Sequence, residues 1–166
     1  MIHPNARVRG AAIYAAAGVP SKTLSTWETR GFLSRETGRM LPESSQGRAL
    51  DYSVLDVCVL RLARELADLG MPVREAMREA DDHRWYLGMM LTGQAAGTHH
   101  TLSVIREPAS LDGGAWESTT RAGSALNIGD GEVARVVSLS SLVRAVVRVV
   151  ANAPPGEMAD EGGIGG

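Results

Sequence analysis

Along residues 53–69, apolar side chains return every third or fourth position, at Leu55, Val59, Leu62, Leu66 and Leu69. That period predicts a helix with one buried stripe, capped by Ser53 and stopped by Gly70. Arg61, Arg64, Glu65 and Asp68 fall on its wet side. A shorter helix is predicted over 72–82, with Val73, Ala76, Met77 and Ala80 turned inward. Upstream, residues 10–17 are almost wholly Ala, Ile and Tyr and predict a first short helix. Gly18 then supplies a left-handed turn, and Pro20 or Ser21 opens a second helix that stops at Gly31. In that second helix Leu24 and Trp27 stand three apart and face inward, while Val19 and Phe32 close the pocket from either side. Residues 10–33 thus predict a helix-turn-helix.

The pattern changes on either side of this helical stretch. Residues 34–52 hold Gly38, Pro42, Gly47 and a Ser-Ser-Gln run, which reads as a loop or β wing closing on Leu50 to Tyr52. Beyond His83, residues 85–91 and 101–106 read as two strands around a Gly-Gln-Ala-Ala-Gly connection. Residues 107–123 are polar and loop-like and contain Trp116; a third short strand is predicted over 133–137. Ser140 or Ser141 then caps a helix running to about Asn152. Leu142, Val143, Val146, Val147, Val149 and Val150 make it apolar except for Arg144 and Arg148. Such a helix is buried either across a small sheet or between two subunits. The expected fold class is mainly α with small β (α+β). It comprises a flexible arm over 1–9, a winged helix-turn-helix over 10–84, a β-β-β-α lobe over 85–152 that dimerises or receives a signal, and a disordered tail over 153–166.

Composition narrows the setting. In 166 residues, 44% are hydrophobic and 22% charged, as in an ordinary globular protein. No window approaches the ~20 apolar residues of a membrane span, and the N-terminal stretch lacks the apolar run of a signal peptide. Cys58 is a lone cysteine among Val57, Val59 and Leu60, which predicts a buried thiol in a cytoplasmic protein. The net charge of −2 is unevenly spread, with +3 over residues 1–52 and −5 over 53–166. A positive N-terminal part on an acidic body suits a reader of double-stranded DNA with a local footprint.

The candidate chemistry lies on the second short helix. Ser21, Lys22, Ser25, Thr26, Thr29 and Arg30 are left to face outward. They offer hydroxyls to base edges and positive charge to phosphates from a helix small enough for the major groove. Arg35, Arg39 and Arg48 in the wing are the candidates for phosphate or minor-groove contact, and Tyr52 for the core or a phosphate. Other features carry less. His99 and His100 are adjacent and would point to opposite faces of a strand, so no metal site is expected. His83 beside Asp81 and Asp82 reads as a helix-end histidine. Gly113-Gly114 and Gly129-Asp130-Gly131 are turns without the setting of a phosphate cradle. No nucleophile, base or carboxylate pair has a setting for catalysis, so no enzyme activity and no cofactor are expected.

The order of motifs resembles the DNA-binding domain of the MerR family of transcription regulators. The residues are Ala17-Gly18-Val19, Thr23-Leu24, Trp27-Glu28, Gly31-Phe32-Leu33, Arg48, Tyr52-Ser53 and Asp56-Val57, followed by Leu60-Arg61-Leu62 and Leu69-Gly70-Met71-Pro72. The resemblance covers about residues 10–82. It departs from the family at Ser25, where members carry arginine, and in the three residues that separate Arg48 from Tyr52. The long pairing helix of the family is not visible after residue 84. With few phosphate contacts per copy, useful affinity needs a homodimer or adjacent sites, and the C-terminal lobe is the candidate pairing surface. The resemblance implies sequence-specific DNA binding and transcription regulation, with the effector unspecified. Two other readings stand beside it: an excisionase-like architectural DNA-binding factor, and a protein-interaction module that uses the helix-turn-helix as scaffold.

Overall fold

Ser53 starts the central helix as the spacing predicts. Its Oγ accepts from the Asp56 backbone N–H at 3.0 Å, and the Asp56 carboxylate accepts from the Ser53 backbone N–H at 3.1 Å. This reciprocal capping box opens α3, Val54–Asp68. The computed structural model describes residues 2–33, 51–95, 100–106, 116–122 and 133–159. Within it, α3 is the hub: α1 (Ala11–Ala17), α4 (Val73–Asp82), α5 (Arg84–Leu91) and α6 (Leu139–Ala151) all pack on it. Val54, Val57, Cys58, Val59, Leu60, Leu62, Ala63 and Leu66 are buried almost all the way round the helix, as a central position demands. Cys58 is the buried thiol expected, and burial, with Asp56 behind it, pushes its pKa up to about 12.

The helix-turn-helix has its predicted form. Gly18 ends α1 in the left-handed region at φ 65°, Pro20 precedes the next helix, and α2 runs Ser21–Thr29. At its far end Phe32 N–H donates to the Trp27 carbonyl and Gly31 N–H to the Glu28 carbonyl, both at 2.9 Å. With Gly31 at φ 69°, this closes the helix and turns the chain away toward Leu33.

Around these helices lie two three-stranded antiparallel sheets. In the first, β1 (Arg7–Arg9) is central, pairing with β2 (Asp51–Ser53) on one side and β6 (Met158–Ala159) on the other. In the second, β3 (His100–Arg106) lies between β4 (Trp116–Ala122) and β5 (Val133–Ser138).

Five expectations change. The flexible arm is built into the fold: Val8 is fully buried and pairs with Tyr52 and Met158. Residues 85–91 form α5 and not a strand. Trp85, Leu87, Met89 and Leu91 alternate like a strand, yet Leu87 and Leu91, four apart, are the buried pair, and Trp85 is 66% exposed. The polar stretch around Trp116 contains β4, paired residue for residue with β3, because its Trp and two Thr suit a strand and backbone pairing needs no apolar run. The tail from residue 153 continues through a 3-10 turn, Pro155–Glu157, into β6. Finally, α6 does not belong to a separate lobe. Ser138 caps it by accepting from Ser141 N–H at 3.3 Å, and Leu139, Leu142, Val143, Val146 and Val150 join the same core as α1 and α3. Leu142, Val143, Val146 and Val150 of its apolar stripe are therefore covered inside one chain, and Val147 and Val149 are half-buried against the same core.

Candidate nucleic-acid interface

The two faces of α2 have opposite characters. Leu24 and Trp27 are buried against the core, at 1% and 7% exposure, while Ser21, Lys22, Ser25, Thr26, Thr29 and Arg30 are all exposed. The six outward candidates thus share one open surface on a helix whose other side is anchored. Two of the hydroxyls are already engaged. Thr26 Oγ1 donates to the Lys22 carbonyl and Thr29 Oγ1 to the Ser25 carbonyl, each at 2.9 Å. Lys22 and Arg30 supply the positive charge of this surface.

What fixes the angle between α1 and α2 comes from α3. Arg64 Nη1 donates to the Gly18 carbonyl, and Arg64 Nε is held by Asp68 at 3.2 Å. Arg61 reaches the same turn while its Nε donates to Glu65 at 2.9 Å. A Cβ at position 18 would stand only 2.5 Å from Arg61 Nη1 and 2.6 Å from Arg64 Nη1. Sequence reasoning placed both arginines on a wet helix side. Their i,i+4 partners Glu65 and Asp68 were legible, but the turn they clasp is 46 residues away for Arg64.

The root of the wing is equally tied down. Tyr52 is 2% exposed, so it is a core residue and not an open contact for DNA. Burial, and then Glu28, hold its phenol above the ordinary value. Beside it, Arg84 Nη1 donates to Asp56 Oδ1 and Arg84 Nε to Asp81 Oδ1, both at 2.7 Å. Burial opposes the charge on this guanidinium, but the hydrogen bonds to Asp56 and Asp81 outweigh it and raise its pKa. The network links α5 to the capping box at the junction of β2 and α3. Arg7 and Arg9, exposed on either side of buried Val8, add positive charge beside β2. Their Arg-Val-Arg alternation was the sequence signal for that strand. Arg35, Arg39 and Arg48 lie outside the described residues.

Among the described residues, no cluster of three or more His, Cys, Asp or Glu could hold a metal ion, and no helix is long and apolar enough to cross a membrane. His83 is buried at the end of α4, with Nδ1 2.9 Å from the Glu79 carbonyl oxygen, and His99 falls outside the described residues.

Residues 9–82 match the model of the MerR HTH family regulatory protein. No curated protein matches the chain. The matched span runs from the end of β1 to the end of α4, so α5, the second sheet, α6 and β6 lie beyond it. The family is non-enzymatic and implies DNA-binding transcriptional regulation. Residues 9–82 of this chain are a MerR HTH family regulatory domain.

Proposed function

We propose that the protein is a sequence-specific transcription regulator that lays α2 in the DNA major groove, with the wing against the neighbouring backbone. The observation that carries this reading is the division of α2 into two faces. Small hydroxyl and basic side chains occupy the exposed positions, with Glu28 half-buried at their margin, above a buried Leu24–Trp27 edge and a turn clasped from α3. Ser21, Ser25, Thr26 and Thr29 face base edges, and Lys22 and Arg30 face phosphates or guanine. Arg35, Arg39 and Arg48 hold the backbone from the wing, in the cytoplasm where the chromosome lies.

With so few cationic contacts, one copy binds weakly, and useful affinity requires two. We place a homodimer on the DNA, paired through a surface other than the apolar stripe of α6, which is spent inside the chain. The test is selection of bound sequences from random duplex DNA, with wild type and a Lys22→Glu/Arg30→Glu variant in parallel. An inverted repeat enriched by the wild type alone supports a dimeric promoter reader. Direct repeats would move the protein to the architectural class, and no enrichment at low salt would sink DNA recognition by α2.

A further inference from the structure

We propose that α2 reads A·T base pairs through Thr26 and Thr29, with the thymine 5-methyl group as the recognised feature. This rests on the groove placement of α2 argued above and names what that face selects.

A threonine hydroxyl has one proton to donate. In Thr26 and Thr29 that proton is committed to a carbonyl of the helix itself, at 2.9 Å in each case. What each side chain still offers to solvent is an acceptor lone pair and a γ-methyl group. Both residues are exposed, and three positions apart they lie on one face of α2. Ser21 and Ser25 hold no such bond among the described residues and keep both hydrogen-bonding roles.

The four base edges answer this surface differently. Guanine presents only acceptors, N7 and O6, to the major groove, so an acceptor-only hydroxyl is repelled there. Cytosine offers a donor but no methyl. An A·T pair offers both the adenine N6 donor and the thymine methyl, and it alone matches a surface made of a lone pair and a methyl. Lys22 and Arg30 bracket the two threonines along the helix, so guanine or phosphate contacts fall on either side of an A·T step. Position 25, one turn from Thr29 and next to Thr26, is a serine, which leaves this step unscreened by a long cation.

The test uses the full chain and the duplex obtained by selection, read by fluorescence anisotropy. Each thymine of the half-site is replaced in turn by uracil, which removes only the 5-methyl. At one or two positions the wild type binds about fourfold more weakly, the factor expected for one apolar carbon left exposed. Thr26→Ser and Thr29→Ser keep the hydroxyl and lose the methyl. Each weakens binding to the thymine duplex by a similar factor and no longer distinguishes uracil at its position. Thr26→Val keeps the methyl and remains sensitive to uracil. Circular dichroism of each variant checks that α2 is intact. Uracil substitution without effect at every position, or serine variants that still discriminate, would overturn the proposal. Failure of the wild type to bind any duplex would remove the groove placement itself, and this reading with it.

Discussion

Gly18 meets two demands at once. Its backbone is left-handed, at φ 65°, and the guanidinium groups of Arg61 and Arg64 close over it. Any Cβ there would be strained in the backbone and would also push both arginines aside. The left-handed conformation costs a non-glycine residue about 1–2 kcal/mol, and loss of the Arg64 bond to the Gly18 carbonyl adds about 1 kcal/mol. Gly18→Ala is therefore expected to lower stability by about 2–3 kcal/mol in urea unfolding. It should also weaken DNA binding below the unfolding midpoint, because the angle of α2 depends on this turn. A loss no larger than about 1 kcal/mol, the backbone term alone, would show that the clasp contributes nothing. The glycine itself was legible in the sequence, since a helix-turn-helix needs a left-handed residue there. The arginines were not, because periodicity reports which side of a helix is wet and not which distant carbonyl a long side chain reaches.

Elements divide in the same way between what local pattern decides and what pairing decides. The helices α1 to α4 were readable because caps, stops and apolar spacing agree, as in Ser53, Leu55, Val59, Leu62 and Gly70. Helix α5 was misread because Trp85, Leu87, Met89 and Leu91 alternate, and only the burial of Leu87 and Leu91 against α3 and α6 decides between the two periods. Strand β4 was hidden because its Trp and two Thr stand among charged and small residues without an apolar run, and the pairing with β3 is what settles it. Arg84 shows what α5 contributes once it is a helix. It sits between Asp56 and Asp81, and so fastens α5 and α4 to the capping box that starts α3 and ends β2. Arg84→Met leaves two largely buried carboxylates without their cation. Breaking such a pair costs about 3–5 kcal/mol when burial is complete. With Arg84 21% exposed, the lower end is expected, measured by urea unfolding at neutral pH. Asp56→Asn, which keeps a capping acceptor, should lose less. Equal losses for the two variants would mean that the Asp56–Arg84 pair alone, and not the bridge to both carboxylates, holds this junction.

At the scale of the whole molecule, the family domain and the folding unit are not the same object. The domain ends at residue 82, but the core that supports it is completed by Leu139, Leu142, Val143, Val146 and Val150 of α6. Local pattern showed that α6 was apolar and left open what it covered, because no period encodes the partner of a stripe. The chain then returns once more. Glu157 Oε2 accepts from the Ala12 backbone N–H at 2.8 Å, serving the start of α1 where Gly10 provides no side-chain cap, and β6 pairs with β1. A carboxylate at a helix N-terminus is worth about 1 kcal/mol, so Glu157→Ala should cost about that much. Removing α6 is a different order of change, since it strips the cover from α1, α3 and α5 together. A fragment of residues 1–84 is therefore expected to lose its cooperative thermal transition, whereas the full chain with Glu157→Ala keeps it at a midpoint several degrees lower. Helix α2 is held by α3, and α3 is held by α6, so on the proposed function the fragment should also fail to bind the selected duplex. A fragment that unfolds at the full-chain midpoint would make 85–166 a dispensable appendage and would restore the two-lobe organisation read from the sequence.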